Sequence, residues 1–274
     1  ADGVGTRSDN HRYLSRTAHS YVAQFEPITL LSALAAVTQR IGFVATASTS
    51  FNEPFHIARK FASLDNISGG RAGWNLVTSS SEHEALNFNR ERHFDHAERY
   101  QRAAEFAQVV TGLWDSWEDG ALQRDKASGL YFDPARRHVL NHKGRFFQVK
   151  GPLNVPRSPQ GHPVIVQAGS SPAGKALAAE TAEVIFTAQQ TLDDAVAFYA
   201  DVKGRLAQHG RQPDDLKIMP GVFPVVGRSE SEAQEKFEQL QSLIHPEVGL
   251  ALISGLTGGV DPVSYTHLTL PTIC

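Results

Sequence analysis

One segment constrains this chain more than any other: Pro163–Lys175, PVIVQAGSSPAGK. A short apolar run, Pro163-Val164-Ile165-Val166, ends in Gln167-Ala168-Gly169. Two serines follow, and Pro172 opens a helical pattern. A strand that is apolar throughout is expected to be buried on both faces, as in a parallel sheet. Serine followed by proline at the first helical position is a helix-start signature. The segment therefore reads as strand, glycine turn, two hydroxyls and free helix N–H groups. Unpaired donors and the positive end of the helix dipole make such a terminus a ready anion site. The same serine also reads as an ordinary helix cap, and the local sequence leaves both readings open.

The rest of the chain repeats this alternation. Pro27–Gln39 reads as a helix, with Leu30, Leu31, Leu34 and Val37 at helical spacing. A buried strand follows at 41–47, then a helix over Glu53–Leu64 stopped by Ser68-Gly69-Gly70, then a strand at 72–78. Residues 79–162 break the pattern with one long helix at 95–117, a loop rich in Gly, Pro and Asp, and a hairpin near Gly144–Val149. Strand–helix alternation resumes at Val164–Gln167, Lys175–Ala182, Glu183–Thr187, Asp193–Leu206, Leu216–Val226 and Ser231–Ile244. Repeated βα units predict an α/β fold with a parallel sheet, open or closed into a barrel. Five clear strands fall short of the eight a closed barrel needs.

Bulk composition narrows the function. With 274 residues, 41% hydrophobic and 20% charged, the chain is an ordinary globular sequence. A net charge of −3 leaves no nucleic-acid footprint. No window approaches the roughly 18 apolar residues of a membrane span. The one cysteine is Cys274, which excludes disulfides and cysteine-based metal sites within the chain and suits a cytoplasmic setting.

Candidate chemistry gathers at strand ends and helix starts. Asp95 and Glu98 form a capping-box-like pair at the head of the long helix. His96 and Tyr100, four apart, share one face there and would grip a phosphate beside free N–H groups. In the plainer reading Tyr100 joins the Ala103, Phe106 and Val110 core stripe and His96 is a surface residue. A metal site built on His93 and His96 is disfavoured, because His93 precedes the helix and points elsewhere. G-x-S-x-G, G-x-G-x-x-G and G-x-x-x-x-G-K-[ST] are all absent. Ser48 after the first strand, and Asn75 and Thr78 in the second, place small polar groups on the rim where barrel enzymes build their sites. Arg136, Arg137 and Lys143 in the inserted region read as a solvated face rather than as a substrate-binding patch.

Five blocks, ADG, ATASTSFNEP, GRAGWNLVTS, DHAERYQRAAEF and GHPVIVQAGSSPAG, occur in order. Together they closely resemble the bacterial-luciferase-like flavin monooxygenases, in the branch of nitrilotriacetate and dibenzothiophene-sulfone monooxygenases. The resemblance runs from Ala1 to about Asp261. It implies a (β/α)8 TIM barrel, with an insertion over about 79–162. It implies FMN, reduced by a separate NADH-dependent flavin reductase, and O2, used to oxygenate a small organic substrate. Aminopolycarboxylates and organosulfur compounds are the candidate classes. The FMN contacts it implies are Asp2, Ser48, His96, Tyr100, Ser170 and Ser171, with Asn75 and Thr78 against the ring system. No metal is expected from the histidine spacing, and a homo-oligomer is expected. The alternative is a non-catalytic flavin binder or a deazaflavin-dependent relative.

Against the family pattern the barrel is expected to be incomplete at both ends, and turnover by this fragment is not expected. Residues 262–274, uncharged and without helical period, read as a non-native tail.

Overall fold

In the computed structural model, residues 3–5, 15, 23–246 and 248–250 are described. Asp2 and the tail at 262–274 lie outside them. Two compact units separate, one comprising residues 1–5 and 24–221, the other residues 6–23 and 222–274.

The first unit alternates strand and helix as the sequence predicts. Helix α1 (Pro27–Val37) is capped by Glu26, whose carboxylate accepts from the N–H groups of Ile28 and Thr29. Strand β1 (Phe43–Ser48), helix α2 (Pro54–Ser68) and strand β2 (Ala72–Val77) follow. A left-handed Gly69 (φ 67°) ends α2, the role that Ser68-Gly69-Gly70 predicts. The long helix α3 covers His96–Trp114, three residues shorter than its expected end at 117. An antiparallel hairpin, β3 (His142–Lys143) with β4 (Gln148–Val149), falls where one is expected. Strand β5 (Val164–Gln167), helix α4 (Pro172–Thr181), strand β6 (Val184–Thr187), helix α5 (Leu192–Leu206) and strand β7 (Lys217–Pro220) complete this unit.

The five longer strands form one parallel sheet in the order β1-β2-β5-β6-β7. Its register sets Thr46 beside Asn75, and Asn75 beside Val166. All loops leaving the strand C-termini therefore meet along one rim.

The core lies between one face of the sheet and helices α2 to α5. Trp74 is its centre, fully buried, with Nε1 donating to the Ala47 carbonyl at 3.0 Å. Its ring meets Phe61, Phe106 and Trp114 at centroid distances of 5.9, 5.9 and 6.4 Å. Truncation of such a residue to alanine costs about 3–5 kcal/mol, a large part of the roughly 5–15 kcal/mol that holds a domain folded.

Two expectations are corrected. Strand β5 is buried on one face only: Ile165 and Gln167 are enclosed, whereas Val164 and Val166 are half-buried. The helices cover one side of the sheet, and on the other side Val44, Phe186 and Met219 are 51%, 47% and 57% exposed. The run read as a strand over 216–226 pairs only at Lys217–Pro220, where it can reach β6. The second unit includes helix α6 (Glu230–Ser242), capped by the Ser229 hydroxyl. No helix among the described residues is long and apolar enough to cross a membrane.

Candidate functional site

A cleft of about 370 Å³ opens where β2 and β5 end and where α3 and α4 begin. Its walls are Leu76 to Ser80, His96, Arg99, Tyr100, Gln167 to Ser171, and Leu177. It brings together Thr78, His96, Tyr100, Ser170 and Ser171 from the sequence-level candidates. No carboxylate side chain is among these wall residues.

The α4 side is closely built. Ser171 is the N-cap, its Oγ accepting from the Gly174 N–H at 3.1 Å. The cap reading is thus fulfilled without closing the anion reading, because a hydroxyl that accepts still has its own O–H to donate. Two glycines bring the strand-end turn onto the helix. A Cβ on Gly174 would lie 2.9 Å from the Gly169 Cα and 3.0 Å from the Tyr100 hydroxyl oxygen. Only hydrogen at both positions allows the turn, the helix and the phenol to meet.

The α3 side differs. Asp95 is the N-cap but makes no side-chain cap hydrogen bond, so the expected capping box with Glu98 does not form. The His96 ring is exposed and lies 4.9 Å from that of Tyr100, as their four-residue spacing requires. Tyr100 packs against the core, as its plainer reading has it, and it also lines the cleft.

Ser48 and Asn75 stand behind this surface rather than in it. Ser48 is fully buried at the end of β1, and Ser79 Oγ donates to its Oγ at 2.7 Å. Asn75 donates through Nδ2 to Thr46 Oγ1 at 2.9 Å, while its Oδ1 is buried with no partner among the described residues. Ser50 Oγ donates to the Thr78 carbonyl, which fixes the loop that carries Thr78.

His93, weighed with His96 as a metal ligand, points away. Its ring meets Phe51 edge-on at 4.9 Å, and burial pushes its pKa down, toward the neutral form. No cluster of three or more His, Cys, Asp or Glu side chains suited to a metal occurs among the described residues. Arg136, Arg137 and Lys143 are exposed.

Sequence reasoning passed over Arg99 and Ser79. Arg99 follows His96 by three residues and so shares its helix face. Its Nη1 donates to the Ser79 carbonyl at 2.5 Å. Ser79 holds a positive φ of 53°, uncommon for a residue with a side chain.

The chain belongs to the luciferase-like monooxygenase family, which it matches over residues 11–255. It is 57% identical over 251 residues to N-acetyl-S-(2-succino)cysteine monooxygenase of Bacillus subtilis (strain 168), covering 92% of this chain and 57% of that protein. It is 58% identical over 236 residues to nitrilotriacetate monooxygenase component A of Aminobacter aminovorans, covering 86% of this chain and 52% of the relative. A crystal structure of riboflavin lyase with modified FMN and riboflavin matches with a TM-score of 0.89 at 33% identity, covering 96% of this chain and 59% of that one. The chain thus spans about half the length of the curated relatives it matches. Its fold is α/β of the TIM-barrel type.

Proposed function

We propose that this chain carries the flavin site of a two-component FMN-dependent monooxygenase that oxygenates a small organic substrate. The observation that carries the reading is the cleft itself: the side chains of Ser170 and Ser171, a phenol, an imidazole and a guanidinium are among its walls, and no carboxylate side chain is. That donor set fits a phosphate monoester.

Ser170 and Ser171 would donate to phosphate oxygens at the head of α4, and Tyr100 and His96 would close the site from α3. Thr78 and Asn75 lie along β2 and its exit, on the path from the phosphate end toward the sheet. The partnerless Asn75 Oδ1 fits an N–H of a flavin ring. Reduced FMN, when bound, supplies the electrons that activate O2 for insertion of one oxygen atom into the substrate. A separate NADH-dependent flavin reductase would deliver it, a division of labour consistent with "component A" in the name of the Aminobacter relative.

Titration of the purified chain with FMN and with riboflavin tests this reading. FMN is expected to bind at least tenfold more tightly, because a hydrogen bond to a charged group contributes about 1.5–3 kcal/mol. Equal affinities would overturn the phosphate assignment. Tight binding of a deazaflavin in place of FMN would move the chain to the deazaflavin branch. In a form that spans the full length of its relatives, with a reductase and NADH present, substrate-dependent oxygen uptake is expected from an aminopolycarboxylate or an organosulfur compound.

A further inference from the structure

We infer that Arg99 is the charged anchor of the phosphate end of this cleft and, through Ser79, the residue that ties the head of α3 to the exits of β1 and β2. The inference rests on the FMN reading above and adds a residue to it.

Arg99 is the only lysine or arginine among the wall residues, and it forms no ion pair among the described residues. Of its nitrogens, Nη1 is fixed on the Ser79 carbonyl. Its Nε is buried without a hydrogen-bond partner. Its Nη2 donates to no described protein atom. A guanidinium presents donors in a planar fork matched to two oxygens of a phosphate. Here the edge formed by Nε and Nη2 is the unused side of that fork. Leaving a buried donor of a charged group without an acceptor costs stability, and a phosphate provides both the acceptor and the missing counter-charge. The Nη1 bond has a second consequence. It links the head of α3 to Ser79, and Ser79 in turn donates to Ser48 at the end of β1. One side chain thus ties a helix terminus to two strand exits.

The test compares FMN and riboflavin binding in the full chain, unaltered and as Arg99→Met and Arg99→Lys. In Arg99→Met, FMN affinity is expected to fall by about tenfold to a hundredfold, while riboflavin affinity changes less than about twofold. Added salt should weaken FMN binding more in the unaltered protein than in this variant. Arg99→Lys keeps the charge and loses the fork, so an intermediate affinity is expected; it carries the test if the methionine variant fails to give a cooperative thermal transition. Unchanged FMN affinity, or parallel loss of FMN and riboflavin, would overturn the assignment, the second outcome giving Arg99 a structural role only. Equal binding of FMN and riboflavin by the unaltered chain would instead mark failure of the phosphate reading beneath it.

Discussion

Two helix N-termini face the same cleft and are built in opposite ways. At α4 the cap is made: Ser171 accepts from Gly174, and two glycines pack the helix onto the strand-end turn. At α3 it is not: Asp95 caps nothing with its side chain, and His96 beside it is exposed. Helix α3 is secured elsewhere, by Arg99 on Ser79 and by Glu105 on the hairpin. The difference teaches that one side of the site is set by backbone packing and the other by long side chains. Substitutions on the α4 side should therefore act through shape, and those on the α3 side through charge.

Gly174→Ala is the strongest way to break this contrast. The added methyl would stand 2.9 Å from the Gly169 Cα, which is backbone and cannot swing aside. Overpacking of this kind costs roughly 1–3 kcal/mol, and the displaced helix start carries Ser171 with it. FMN affinity is expected to fall about a hundredfold, with a lower thermal midpoint. Normal values for both would show that the close approach is not what shapes the site.

Ser171→Ala sharpens the comparison. It removes a cap, at about 1 kcal/mol, and a donor to the proposed phosphate. FMN affinity should drop by about tenfold to a hundredfold, with riboflavin unaffected. A loss of stability without any loss of FMN preference would leave Ser171 as a cap alone.

Much of this was legible in the sequence, for physical reasons that also explain what was missed. Strand β5 and the start of α4 are written locally, in an apolar run and a Ser-Pro pair, and both form where they are read. The face that joins His96 to Tyr100 follows from helical spacing alone. The early end of β7 does not, because its length is set by how far β6 extends beside it. The half-open faces of β5 depend on which side of the sheet the helices cover, and periodicity is silent on that. Arg99 was hidden because a charged residue early in a helix normally means a solvated one. Its enclosure arises from the Ser79 carbonyl, twenty residues away in the chain.

Acid should loosen the anchor between α3 and the hairpin. The Glu105 carboxylate accepts from His142 Nε2 at 3.0 Å and from the N–H groups of Phe146 and Phe147 at 3.0 and 2.9 Å. Burial pushes its pKa up, but these hydrogen bonds outweigh burial and hold it below the usual carboxylate range. A lowered native pKa means stability that is present at neutral pH and lost as pH falls through that lowered value. Glu105→Gln should lower the thermal midpoint at neutral pH and flatten its decline in acid. An acid limb of unchanged steepness would show that the anchor does not govern this unit's pH response.

The smallest effect is expected at Asp95. Its carboxylate makes no cap hydrogen bond, so Asp95→Ala loses only the interaction of a negative charge with the helix dipole. Such an interaction is worth about 0.3–1 kcal/mol at an exposed terminus. The same charge stands one residue before His96 and repels any anion bound there, though solvent and salt screen it. Stability and affinity should therefore move in opposite directions: a slightly lower thermal midpoint, and FMN binding tighter by about twofold at low salt. The gain should vanish at high salt, whereas the Ser171→Ala loss should persist there. Weaker FMN binding by Asp95→Ala would mean that the Asp95 side chain orders the head of α3 after all, and the contrast between the two termini would fail.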